Sequence, residues 1–291
     1  MMNMTTIARP SCLLGGFGLS FFLGQVEQTR TKQDWMIIAD RYAVGTTVSS
    51  RDNFERPYSR LPDPVLHRAQ EIQGTSRGST FLWIEPSGRP AAICDVFIIR
   101  KGTTECEINN EWHSLSDQPI RATAGGQTWL NTTKPGLVWK PIPDAMPVSE
   151  APAISQRQAR RLADRFSAEL VDRDMQRHPL RLLTTPLVRY ETTEKEASLG
   201  GSLFAFCQQT DPEVLLLIEA RRTEQDYQWH YAIAGFSNMS LYVQLDQTPV
   251  WDDAPAFMAG RGVHAGGRVR TVNIADELAA EAAENKDAKN P

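Results

Sequence analysis

The chain has 291 residues, 41% of them hydrophobic and 23% charged, and a net charge of −4. This balance excludes a wholly disordered chain, and the length suits one large domain or two small ones. The mild acidity lacks the basic footprint of a nucleic-acid binder and favours solubility without naming a partner.

Residues 13–24, LLGGFGLSFFLG after Arg9, form the one long apolar run near a terminus. Twelve residues are too few to span a bilayer but match the apolar region of a signal peptide, so residues 1–24 read as a leader and the protein as exported (periplasmic or secreted). No clean A-x-A cleavage site follows, which keeps a cytoplasmic chain as the alternative. No other stretch is apolar enough to cross a membrane, so no integral membrane segment is expected in the mature chain. Residues 25–62 read as polar and irregular, although Asp34–Ala39 suits a short helix or strand.

From Pro64 the pattern changes to short apolar strands separated by turn residues, the signature of an antiparallel meander. Strands are predicted over Phe81–Ile84, Ala91–Ile99, Cys106–Leu115 and Ile120–Trp129, with Pro86-Ser87-Gly88-Arg89 as a turn. Pro135, Pro141, Pro143, Pro147 and Pro152 then mark an extended connector, because proline fixes φ and removes a donor. Ser155 reads as the N-cap of a helix over roughly 156–176, with Leu162, Phe166 and Leu170 at fourfold spacing as its buried stripe and His178-Pro179 as its end. A second set of strands is predicted over Leu180–Tyr190, Leu203–Gln208, Val214–Ala220, Trp229–Ala234 and Leu241–Leu245. Beyond Trp251, Ile274–Glu284 suits a short acidic helix in an otherwise flexible tail.

The two β stretches read as copies of one unit. Gly78–Trp83 matches Gly201–Phe206; Pro90, Arg100, Trp112-His113 and Trp129 match Pro212, Arg222, Trp229-His230 and Trp251. Gly78 to Trp129 is 51 residues and Gly201 to Trp251 is 50. Phe81/Trp83 and Phe204/Phe206 lie at period two, so each pair points to one face, which a second copy and the helix are expected to cover. The expected fold is therefore α+β, predominantly antiparallel β: two related β-meanders (64–130 and 180–252) with a linking helix. Around them stand an irregular segment (25–63), a connector plus helix (131–179) and a flexible C-terminal tail (253–291).

Taken together, Gly78–Trp83, Gly88-Arg89-Pro90, Trp112–Leu115, Pro141-Ile142-Pro143, Arg181–Leu183 with Pro186, Arg189-Tyr190, Thr210–Glu213 and Glu219–Arg221 resemble a family of uncharacterised proteins, often with signal peptides, common in planctomycete bacteria. The resemblance covers roughly residues 35–252. It implies lineage and export and carries over no activity and no catalytic residue.

Candidate chemistry is sparse. No nucleophile elbow, P-loop, HExxH or Rossmann glycine pattern occurs. His113 and His230, each beside a tryptophan at matching repeat positions, are candidate ligand-binding residues. Without carboxylates at ligand spacing they predict no metal site. Arg100 and Arg222, at the ends of the most apolar strands, are candidates for holding a carboxylate or phosphate. Thr210-Asp211-Pro212-Glu213 reads as a turn first and as a source of catalytic carboxylates second. The six tryptophans from Trp83 to Trp251 suit a ligand groove, with core packing as the default. Cys94 and Cys106 lie on neighbouring predicted strands, where a bridge is geometrically allowed; otherwise they are small apolar fillers. No cofactor is expected. The reading is a non-catalytic binding or interaction protein, with a hydrolase-like enzyme holding its site between the two repeats as the alternative.

Overall fold

The computed structural model describes residues 34–70, 76–193, 197–224, 226–253 and 262–287. The apolar run over 13–24 and Cys12 lie outside the described residues. Among the described residues no helix is long and apolar enough to cross a membrane.

The chain opens on a helix, α1, over residues 34–44. Its buried residues Trp35, Ile38, Ala39 and Ala43 recur at the three-and-four spacing of a single helix face. Nine strands follow: β1 (Thr46–Ser50), β2 (Asn53–Pro57), β3 (Ser59–Arg60), β4 (Leu66–Gln70), β5 (Ser76–Ile84), β6 (Pro90–Lys101), β7 (Glu105–Ser114), β8 (Ile120–Ala124) and β9 (Gln127–Asn131). The connector contributes β10 (Lys140–Pro141). A second helix, α2 (Pro152–Ala163), leads into β11 (Phe166–Val171), β12 (Arg177–Leu182), β13 (Val188–Tyr190), β14 (Ser198–Gln208), β15 (Asp211–Arg222), β16 (Tyr227–Gly235), β17 (Ser240–Leu245) and β18 (Thr248–Asp253). The described chain ends with β19 (His264–Asn273) and a third helix, α3 (Ile274–Asp287).

All pairings are antiparallel, and the same order of neighbours occurs twice. In the second half the path runs β16-β15-β14-β12-β11-β17-β18, with β13 also on β14. In the first half β7-β6-β5-β3 and β2-β1-β8-β9 trace the same path, with β4 also on β5, the ladder being interrupted between β2 and β3. Each half adds a strand to the free edge of its third long strand, β19 on β7 and β10 on β16.

This arrangement moves the expected boundaries. The stretch read as irregular holds α1 and β1–β3, and the helix read as a linker packs on the strands that follow it. α2 is also shorter than its fourfold pattern suggests. It starts at Pro152 behind an Ala151 N-cap, with no side-chain cap from Ser155, and stops at Ala163. Phe166 and Leu170 belong to β11, where Phe166, Ala168 and Leu170 are buried in alternation. Residues spaced by four satisfy both a helix stripe and a strand face, and the strand pairing decided between them.

The three cores show what each face meets. Phe81, Trp83 and Trp112 pack with Trp35, Ile38 and Ala39 of α1. Phe204, Phe206 and Trp229 pack with Ala159, Leu162 and Ala163 of α2. The alternate residues, Leu82 and Ile93 of the first unit with Leu203, Ala205, Leu215 and Leu217 of the second, form a central core between the units. The period-two aromatic faces are thus covered by each unit's own helix, and the second unit covers the opposite face. Burial on both faces explains the near-continuous apolar runs at 91–98 and 214–220, a composition more usual for parallel sheets.

The region beyond 253 is not simply a tail. β19 pairs with β7 from His264 opposite His113 to Asn273 opposite Glu105, and α3 is fixed to α1 by Glu277, which bonds Arg41 at 3.2 Å and Arg270 at 2.9 Å. The cysteine bridge is absent: Cys94 faces Trp112 and Cys106 faces Arg100, six residues further along β6, or about 20 Å at strand rise. Both are buried fillers.

Candidate ligand site between the two units

The sequence-selected residues do not converge. Gly78 faces Phe97 and Gly201 faces Glu219, and Arg100 and Arg222 each lie three residues further along, at the same offset in the two sets of strands. Both are exposed strand-end residues, Arg222 resting over the Tyr227 ring at 5.2 Å. The histidines are not equivalent. Trp112 faces Cys94, three residues before Phe97, whereas Trp229 faces Ala220, one after Glu219. His113 is buried, with Nδ1 2.7 Å from the Ser114 carbonyl, while His230 is half-buried with Nδ1 3.1 Å from the Gln228 carbonyl. Trp129 and Trp251 are also one position out of register. Leu130 faces Ala122 beside one bulge and Trp251 faces Val243 beside the other. An extra or missing residue in a hairpin shifts the anchors while leaving strand order intact.

What the two units do bring together is charge, at two related places. Arg68 on β4 faces Gly78, and Tyr190 on β13 faces Gly201. Each reaches the other unit near the residue preceding the first proline of its second long strand: Arg68 to Asp211, and Tyr190 through Glu219 to Arg89.

The place around Tyr190 is a closed clasp. Arg89 donates to Asp117 at 2.6 Å and to Glu219 at 3.2 Å; Arg221 also bonds Glu219 at 3.2 Å. Tyr190 Oη donates to Glu219 at 2.8 Å and Trp139 Nε1 to Asp117 at 2.7 Å. Both guanidinium groups stack on the Trp139 ring, at 5.5 and 4.6 Å. Two positive and two negative groups balance, and every bond joins residues already committed. Burial raises Asp117, but Arg89 outweighs it and holds the carboxyl below its usual range.

The place around Arg68 is open. A cavity of about 230 Å³ lies there, lined by Arg68, Phe97 and Glu111 from the first unit and Asp211, Glu213, Phe236 and Met239 from the second. Arg68 is nearly buried; it bonds Asp95 through Nε, donates to Ser76 at 3.2 Å and to Asp211 at 3.0 Å, and lies over the Phe97 ring at 4.6 Å. Thr80 Oγ1 donates to the other Asp95 oxygen at 3.0 Å. Glu111 meets His264 Nε2 at 2.7 Å. Glu213, deeply buried, points to the same side of β15 as Asp211, two residues away.

Four carboxyl groups therefore surround one arginine. Burial, then the neighbouring Asp211 carboxylate, push the Glu213 carboxyl well above its usual range, against a hydrogen bond to Ser237. Burial also raises Asp95, opposed by Arg68. Glu213 lines the cavity with its carboxyl shifted towards the protonated form. Among the described residues no group of three or more histidine, cysteine or acidic side chains is placed to hold a metal ion. Thr210–Glu213 carried the sequence signal for this place; Arg68, Asp95, Glu111 and His264 carried none, being single residues from separate strands.

The chain matches no known family profile, no curated protein and no solved structure.

Proposed function

We propose that the protein is a non-catalytic binding protein, two duplicated units enclosing a site for a small organic cation, a primary ammonium or a guanidinium. The observation that carries this reading is the surplus of carboxyl groups in the solvent-open cavity. Four acids meet one arginine and one histidine: Arg68 is shared by Asp95 and Asp211, Glu111 bonds His264, and Glu213 lies beside them with its carboxyl pushed well above the usual range. A cation there replaces the Glu213 proton and relieves two carboxyl groups that cannot both ionise cheaply. Phe97, Phe236 and Met239 supply apolar sides for the aliphatic part of such a ligand. The family resemblance contributes no activity, so the proposal stands on this geometry.

The test is calorimetric titration of the full chain with cadaverine and with arginine amide, in two buffers of different ionisation enthalpy. Saturable binding with proton release is expected, and Glu213→Gln should abolish the release and weaken binding about tenfold, the worth of one charge-assisted hydrogen bond. Equal binding of glutarate, or binding without proton release, defeats the reading.

The same pair favours a second reading. A proton-loaded Glu213 beside Asp211 has the form of an acid–base dyad, the basis for a hydrolase with its site between the units. Turnover of nitrophenyl esters or glycosides that disappears in Glu213→Gln would select it. Export belongs to the proposal on the strength of the 13–24 run, while three unbridged cysteines suit the cytoplasmic alternative. The N-terminal mass of the native protein decides between them.

A further inference from the structure

A further cavity, of about 380 Å³, lies between α1, β19 and the turn that joins β8 to β9. It shares no lining residue with the acidic cavity. We propose that it is a binding site for a small, uncharged, mainly apolar molecule, of the size of a fused two-ring aromatic.

The volume falls within the range of about 300–1,000 Å³ usual for small-molecule sites. Ile38, Ile108, Trp129 and Val269 form apolar walls. Val269 is the extra residue of a bulge in β19, opposite no residue of β7, and a bulge is a device that re-aims a side chain. The charged residues lining the cavity bond one another: Glu277 holds Arg41 at 3.2 Å and Arg270 at 2.9 Å. A charged ligand would have to break into that cluster, whereas an uncharged one leaves it intact.

The other half of the chain shows a closed form of the same local arrangement. Phe166 faces Leu245 as Thr46 faces Ala124, each the last pair across those strands before a two-residue turn. Both turns run through positive φ, Asp246 and Gln247 at 47° and 67°, Gly125 and Gly126 at 57° and 76°. In the second half the residue before the strand is Arg165, and it donates to Asp246, the first residue of the turn, through Nε at 3.1 Å and through Nη2. At the same two positions the first half has Gly45 and Gly125, and both line the cavity. Packing demands neither glycine. A Cβ at Gly125 would meet nothing within 4 Å, and one at Gly45 only ordinary contacts at 3.7 and 3.8 Å. Asp246 shows that an aspartate is accommodated at the positive φ of the first turn residue. The two glycines thus leave open a space that an ion pair spans in the second half.

The test titrates the ¹⁵N-labelled full chain with 2-naphthylmethanol and follows the indole N–H resonance that is missing in Trp129→Phe. That resonance should shift and saturate. 2-Naphthoate and 2-naphthylmethylammonium, of nearly the same size, should bind about tenfold more weakly. Gly45→Arg with Gly125→Asp transplants the ion pair of the second half. It should raise the naphthylmethanol midpoint by about tenfold while leaving the urea unfolding midpoint unchanged. A motionless Trp129 resonance overturns the assignment, as does a charged probe that binds as tightly as the alcohol. So does a folded double variant that binds like the native chain. The comparison of the three probes on the native chain stands even if the double variant does not fold.

Discussion

Replacing Arg68 with methionine strands a buried carboxylate, and the consequence can be worked through. The Arg68 and Asp95 side chains are 4% and 3% exposed, so almost none of the lost charge pairing is replaced by water. Removing one partner of such a pair costs about 3–5 kcal/mol, a large part of the 5–15 kcal/mol typical of a folded domain. Asp95→Asn alone should cost less, about 1.5–3 kcal/mol, because Arg68 keeps Asp211 at 3.0 Å. The diagnostic is the double variant. On the Arg68→Met background, Asp95→Asn removes the stranded charge while leaving an amide able to accept from Thr80, so the second change should restore stability instead of reducing it further. Urea midpoints at constant m-value read these differences. The pH dependence follows with its sign. In Arg68→Met the folded-state value of Asp95, raised even in the native protein, rises further above its unfolded value. The folded state then takes up a proton that the unfolded state does not. The deficit against the native protein should therefore shrink as pH falls towards the ordinary carboxylate range and grow as pH rises from it. Additive losses in the double variant, or a deficit that ignores pH, would refute the argument.

Glu213→Gln tests the other buried acid. Its folded-state value is raised above 4.5, so native stability should decline as pH climbs from about that value through the folded-state value, losing about 1.4 kcal/mol for each pH unit climbed between the two. The glutamine variant should match the native protein near pH 4.5 and exceed it at neutral pH, by thermal or urea unfolding. Gly88→Ala should destabilise by more than Gly102→Ala. Both glycines have positive φ, worth about 1–3 kcal/mol, but only at Gly88 would a Cβ meet a backbone oxygen, that of Glu191 in the other unit, at 2.4 Å. Equal losses in the two variants would mean that the units are not in close contact there. Cys94, Cys106 and Cys207 should resist alkylation in the folded protein and react on unfolding, since burial raises all three thiols, Cys207 to about 12. Mass spectrometry of pulse-alkylated protein checks this.

Local pattern and chain chemistry made much of the fold legible from sequence. Runs such as Ala91–Ile99 and Val214–Ala220, set between turn residues, gave strands whose ends lie within three residues of those of β6 and β15. The helix over 34–44 was also present in the sequence, its buried face spaced by three and four, but the polar segment after it masked the pattern. Fourfold spacing from Leu162 to Leu170 could not separate a helix from a strand, and only pairing with β12 and β17 placed Phe166 in a sheet.

The tertiary structure alone decided which faces meet and which charges converge. A bulge is invisible in composition, yet bulges set the register of Trp129 against Trp251, and strand pairing separated His113 from His230. Arg68, Asp95 and Asp211 come from three strands, the last 143 residues from the first, and no local rule joins them. Side-chain alternation is a property of one strand and can be read from it. The partner of a buried charge is fixed by long-range packing, and there the sequence says only that a partner must exist.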